Sequence, residues 1–273
     1  MMELPAEILH IILGYLTLKE LMKLKLVNKF FCEFIKKNKW NTELVITNKN
    51  MNEVEKFMEN HRFSIYTINN NSDITQLSKY MVGCLKFNLI SGNYNPDIKC
   101  FTNCRSFSSL MFIDIDKSLT QLLSCNTLCL KQSIYCNTIT KEQIKIINSL
   151  NIKSLSLIDL SFPIADLSLS GLKYLDLSGS IFNTNISLLY FDNIEYLLLN
   201  HCKLDDSCIM ILCAKNLENL KFLSLEKNNI TEKSIKYLSK LNLEYLNVNL
   251  CYIDNNIRNL LKIKTIVLDR YYT

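Results

Sequence analysis

The sequence predicts an α/β protein with two parts. Residues 1–40 form a small N-terminal three-helix unit. Residues 41–273 form a curved solenoid of about eleven irregular repeats, with a parallel sheet on the concave side and helices on the convex side. Three observations carry this prediction. The first is a recurring spacing: Leu220, Leu223, Leu225, Asn228 and Ile230 return as Leu172, Leu175, Leu177 and Ser180, as Ile194, Leu197, Leu199, Cys202 and Leu204, and as Leu243, Leu246, Val248, Cys251 and Ile253. The second is helical periodicity in the segments between these runs. The third is a dense apolar segment that ends at Trp40.

The spacing L-x-x-L-x-L-x-x-N/C-x-L resembles the leucine-rich-repeat family. Its physics is simple. Two leucines flanking one residue fall on the same side of a short strand, because side chains alternate along a strand. One repeat cannot bury that side alone, so repeats must stack. An Asn or Cys at position nine can turn inward and bond backbone groups left unpaired by the bend.

Repeat starts fall at residues 41, 63, 82, 107, 125, 152, 172, 194, 220, 243 and 263. The early units are degenerate: Phe63, Tyr66 and Ile68 fit well, whereas Val82, Leu85 and Phe87, and Phe107, Leu110 and Phe112, fit loosely. Residues 93–105 are the least regular and read as a loop. Between strands, helical spacing groups Val54, Phe57 and Met58, then Ile144, Ile147 and Leu150. Segments 205–213, 231–241 and 255–261 behave likewise.

If positions four and six point inward, positions three, five and seven line the concave side. Position three reads Tyr174, Tyr196, Phe222 and Tyr245 in successive repeats; positions five and seven supply Asp176, Asn200, Glu226 and Asn247. Aromatic anchors beside polar groups suit a protein-binding surface, so these eight residues are the candidate target-binding set. The same aromatics could equally ladder against one another and stabilise the sheet without any ligand.

The first forty residues read as three helices. Pro5 and Glu7 suit a first turn, and Thr17 with Glu20 forms a capping box. Asn28 opens a third helix with Phe30, Phe31, Phe34 and Ile35 inside. The first helix carries two apolar stripes, Ile8, Ile12 and Tyr15 on one and Leu9, Leu13 and Leu16 on the other. One stripe serves the unit's own core; the other meets something else, either the neighbouring repeats or a partner. Leu4-Pro5, Glu7-Ile8, Ile12-Leu13, Tyr15-Leu16, Leu21, Leu24, Val27, Asn28-Lys29-Phe30 and Trp40 together resemble an F-box, with Asn28 standing where that family usually has Cys. The resemblance implies docking on the Skp-family adaptor of SCF-type cullin–RING ubiquitin ligases. It implies that Leu4, Pro5, Ile8, Leu9, Ile12, Leu16, Leu21, Leu24, Val27 and Trp40 form or support that interface. With the repeats it resembles an F-box/leucine-rich-repeat substrate receptor. The other expectation is a stand-alone interaction scaffold whose helices cap the repeats.

Composition excludes other classes. The net charge is +5, and the first forty residues supply +3 of it through seven Lys against four Glu. The remainder is too small for a nucleic-acid footprint. No apolar run is long enough to span a bilayer, and the N-terminus, with Glu3 and no basic stretch, does not read as a secretory signal. Eleven cysteines, an odd number, fit reduced thiols in cytosol or nucleus. Cys100/Cys104 and Cys125/Cys129 are C-x3-C pairs without completing ligands, and His10, His61 and His201 are scattered. No metal site, cofactor or catalytic set is expected.

Overall fold

The computed structural model describes residues 5–13, 15–16, 18–47, 54, 58–59, 61–69, 81, 84, 86–91, 103–110, 120, 122, 124–132, 138–168, 170–180, 189, 192–215, 217–254 and 257–268. The chain divides into two compact units, Met1–Cys125 and Asn126–Thr273.

The first unit opens with helices α1 (Ala6–Leu13), α2 (Leu18–Lys25) and α3 (Lys29–Lys37). Asn28 caps α3 by accepting a bond from the Phe31 N–H at 3.0 Å, which satisfies one of the helix's unpaired donors. The Thr17 cap lies outside the described residues. Strands β1 (Lys39–Thr47), β2 (Arg62–Asn69), β3 (Lys86–Ser91) and β4 (Ser106–Leu110) follow, each parallel to the next. Trp40 lies in β1 and joins helices to strands. It is 1 % exposed, its Nε1 donates to the Ile35 carbonyl at 2.9 Å, and its ring meets Phe34 at 6.3 Å. A second tie links α2 to the start of β2, where Lys25 Nζ meets His61 Nε2 at 3.0 Å.

The strand register corrects the frame expected for two early repeats. Tyr66 pairs with Phe87, and Phe87 pairs with Phe107. Leu44 and Tyr66 stand at position four of their repeats, so Phe87 and Phe107 do too. Position one is therefore Cys84 and Cys104, not Val82 and Phe107. Both cysteines are fully buried, and each thiol donates to a carbonyl two residues on, Lys86 at 3.1 Å and Ser106 at 3.2 Å. The pattern was hidden because cysteine stands where leucine is usual, and Ser109, 1 % exposed, holds position six. The helix expected over 52–58 is described only at Val54 and Met58, both buried. Most of the expected loop at 93–105 lies outside the described residues.

The second unit contains β5 (Thr127–Lys131), β6 (Ser154–Ile158), β7 (Tyr174–Asp176), β8 (Tyr196–Leu198), β9 (Phe222–Ser224), β10 (Tyr245–Asn247) and β11 (Thr265–Val267), again parallel in chain order. Helices α4 (Lys141–Ser149), α5 (Asp206–Cys213), α6 (Ile235–Leu238) and α7 (Ile257–Leu260) lie between strands. A 3-10 turn, Glu232–Ser234, leads into α6. Thr140 and Gln143 form a full capping box on α4. Asp205 caps α5 by accepting from the Cys208 N–H at 2.9 Å.

The inward residues behave as their spacing demands. Leu175, Leu177, Leu197, Leu199, Leu223, Leu225, Leu246 and Val248 are fully buried. Each such side chain contributes about 1.5–3 kcal/mol by leaving water. Position eight of every repeat from β6 to β10 adopts a left-handed backbone: Asp159, Gly179, His201, Lys227 and Leu250, with φ between 53 and 71°. The bend aims the position-eight N–H at the carbonyl before the same bend in the next repeat. Asp159 donates to Ser178, Gly179 to Asn200, His201 to Glu226 and Lys227 to Asn249, at 2.7–2.9 Å.

Position nine closes the bend from inside. Ser180 Oγ accepts from the Leu160 N–H and donates to the Leu157 carbonyl. Asn228 bonds backbone groups of Cys202, Leu204, Leu199 and Leu225, and reaches the Glu226 carbonyl at 3.4 Å. Cys202 and Cys251 donate their thiols to the carbonyls of Leu177 and Leu225, both at 3.2 Å.

Candidate functional site

Two faces emerge, one in each unit. The first is built on α1. Leu9 and Leu13 are buried and Leu16 is half-buried, so that stripe serves the core. The other stripe is left in solvent: Ile8, Ile12 and Tyr15 are 44, 48 and 86 % exposed. A helix with one apolar stripe buried and a second uncovered has surface beyond what its own core requires.

The residues that the F-box resemblance assigned to an interface separate accordingly. Pro5, Ile8, Ile12 and Val27 are exposed. Leu16 and Leu24 are half-buried, and Leu4 lies outside the described residues. Leu9, Leu21 and Trp40 are core positions, so they support the unit from within. Phe30, expected inside α3, is also corrected: it is 59 % exposed, with its ring beside Phe31 at 5.5 Å and stacked on Phe34 at 6.0 Å. Ile11 and Leu26, 57 and 87 % exposed, were missed. Ile11 was legible, because positions 8, 11, 12 and 15 follow helical spacing.

The second face is the strand surface of β7 to β10. Tyr174, Tyr196, Phe222 and Tyr245 form one continuous aromatic column. Successive ring centroids are 6.2, 5.9 and 4.1 Å apart, and the last pair is stacked within 4° of parallel. The rings use their faces on one another, and Tyr196 is the most open, 42 % exposed. Lys173 and Glu195 form an ion pair at 2.8 Å just before the column. The bond raises the lysine's pKa and lowers the glutamate's.

The polar column beside the rings is bonded to itself. Asn200 Oδ1 accepts from Ser224 Oγ at 2.7 Å and from the Glu226 N–H at 2.9 Å. Asn247 Nδ2 donates to Ser224 Oγ at 3.1 Å and to Glu226 Oε2 at 3.2 Å. Asp176 is corrected from an open surface group to a nearly buried one, 8 % exposed, accepting from the Ser178 N–H at 3.0 Å. Burial, and then the charge of Asp176, raise the pKa of Tyr174. The sequence set thus contains both a stabilising ladder and a surface, and the two share residues.

Several thiols on this scaffold have their pKa raised by their surroundings. Burial pushes Cys202 and Cys213 up to about 12 and raises Cys251 as well. A hydrogen bond with Cys84, then burial, raises Cys104 strongly. Cys104, Cys202 and Cys251 also donate to backbone carbonyls, which is a packing and capping role. Among the described residues, no three His, Cys, Asp or Glu side chains are grouped to hold a metal, and no helix is long and apolar enough to cross a membrane.

The comparisons with known proteins bear on the first face. Residues 1–42 match the family described as F-box-like. The chain carries an F-box-like domain at its N-terminus, the mark of a protein-interaction adaptor. Such domains generally mediate binding to Skp-type adaptors. No curated protein matches the chain. A crystal structure of a protein from Bacteroides fragilis is similar, with 13 % identity over 86 % of this chain and 77 % of its own, at a TM-score of 0.50. At that identity the likeness is one of fold.

Proposed function

We propose that this protein is a non-catalytic substrate receptor of an SCF-type ubiquitin ligase. The α1 face docks on a Skp-family adaptor and, through it, on a cullin. The leucine-rich-repeat surface around Tyr196 holds a target protein. Catalysis then belongs to the assembled ligase. The receptor raises the effective concentration of target lysines near a charged ubiquitin-conjugating enzyme. A reducing compartment, cytosol or nucleus, suits eleven cysteines.

One observation carries the reading: Ile8, Ile12 and Tyr15 are uncovered on a helix whose other stripe already fills the core, within a segment that matches an F-box-like family. The test is capture of purified adaptor by the full chain. Ile8→Glu abolishes capture and leaves the far-ultraviolet circular dichroism unchanged; capture by the variant at wild-type strength would sink the reading.

A second reading has its own support. Trp40 ties α3 to β1 within one compact unit, so the helices also act as a cap that closes the apolar start of the repeats. A stand-alone scaffold needs only that cap. Failure of the wild-type chain to capture adaptor would favour it.

A further inference from the structure

The strand face of β7 contains a feature that neither the aromatic ladder nor the repeat scaffold uses. Asp176 is 92 % buried by its 8 % exposure, yet among the described residues the one hydrogen bond it accepts is a neutral one, from the Ser178 N–H. The ion pairs of the described residues do not involve it. Beside it, the Ser178 side-chain oxygen is buried with no hydrogen-bond partner. A second carboxylate, that of the exposed Asp159 in the preceding repeat, lies over the adjoining bend. Asp159 Oδ1 lies 1.8 Å from where a Cβ on Gly179 would stand, so it sits directly over the Ser178–Gly179 bend. Asp159 likewise enters no ion pair among the described residues.

A nearly buried carboxylate without a cation is costly unless something compensates it. An unmet buried hydroxyl beside it calls for the same explanation. Tyr174 stands two residues before Asp176 and feels its charge, and the Tyr174 ring meets Tyr196 at 6.2 Å. Negative oxygen with aromatic walls is the chemistry that receives an ammonium or guanidinium group. A metal ion is the weaker fit, since hard cations take six or more oxygen ligands and no acidic group of three is present among the described residues.

We propose that Asp176 receives a Lys or Arg side chain of the bound target, with Tyr174 and Tyr196 as the walls of the subsite. This rests on the reading of the repeat surface as a target-binding face and names the chemistry of the contacting segment. A basic side chain pairs with Asp176 and gives Ser178 a donor. An apolar neighbour on the same segment packs against Tyr196.

The test is selection of random dodecapeptides displayed on phage against the immobilised full chain and against Asp176→Asn. Asparagine keeps the oxygen that accepts from Ser178 and removes only the charge, and circular dichroism checks its fold. Wild type enriches peptides with Lys or Arg at one fixed position, about tenfold or more over the starting library; the variant loses that preference while still retaining apolar peptides. Enrichment without a basic preference, a preference unchanged by Asp176→Asn, or retention of no peptide overturns the proposal. So does calcium binding by calorimetry that Asp176→Asn abolishes. Adaptor capture is measured on the same preparations. A wild-type chain that captures adaptor but shows no basic preference removes only this inference, and a wild-type chain that shows the preference but captures no adaptor removes only the ligase reading.

Discussion

Asn228 Nδ2 donates to the Leu199 carbonyl at 2.7 Å, across the boundary between two repeats. The same amide donates to Leu225 in its own repeat, and its oxygen accepts from the N–H groups of Cys202 and Leu204. One side chain therefore satisfies backbone groups on both sides of a bend, at 2 % exposure.

Removing that side chain leaves several buried backbone groups without partners. Each costs about 1–3 kcal/mol, partly relieved by water and relaxation. Asn228→Ala should lower unfolding stability by about 3 kcal/mol in urea titration. Cys251→Ser keeps a donor toward Leu225, and should cost about 1 kcal/mol or less. Equal losses in the two variants would contradict the role assigned to Asn228.

On α1 the two stripes should separate stability from binding. Leu13→Ala empties a core site, since Leu13 is 4 % exposed, and should cost about 2–4 kcal/mol. Ile12→Ala, at a half-exposed site, should cost under about 1 kcal/mol while weakening adaptor capture. Thermal unfolding and capture measured in parallel would show the opposite ranking if the stripes had been assigned the wrong way round.

The left-handed column makes a paired prediction. Gly179→Ala places a Cβ at φ 71° and against Asp159, and should destabilise by about 1–2 kcal/mol. Lys227→Gly, at φ 54°, removes a left-handed strain that glycine does not feel and should be neutral or stabilising by up to about 1 kcal/mol. Chemical denaturation of both variants checks the sign.

Asp205 gives a pH dependence. Its carboxylate accepts the Cys208 N–H, and this bond holds its pKa below the ordinary 3.8. A depressed folded pKa stabilises fully above the ordinary value, and that contribution is lost as pH falls through the folded pKa. Asp205→Asn, a neutral cap, should match wild type near neutrality and lose less stability than wild type as the pH drops below about 4. Asp205→Ala should cost about 1 kcal/mol at neutral pH. Identical melting curves for wild type and Asp205→Asn across the acid range would refute the cap's titration.

The later repeats were open to reading because Leu, Ile or Val occupies the inward positions from Ile152 onward. Burial then follows from period alone. The two early repeats shifted because Cys84, Cys104 and Ser109 do the work of leucines there, and neither a cysteine nor a buried serine announces an inward position. The aromatic column was legible as a column, but its double character was not. Ring stacking between Phe222 and Tyr245, and the bonds tying Asn200, Ser224, Asn247 and Glu226 together, exist only across strands that are far apart in sequence.

By itself the sequence determined the alternation of strands and helices, the stacking of repeats and the presence of an apolar helical unit before them. Those follow from local spacing, which covalent geometry converts directly into faces. Tertiary structure alone decided which stripe of α1 is core, that Trp40, Leu21 and Leu9 are enclosed while Phe30 is not, and that Asp176 sits nearly buried beside Ser178. Exposure depends on what packs against a face, and that partner comes from a distant part of the chain.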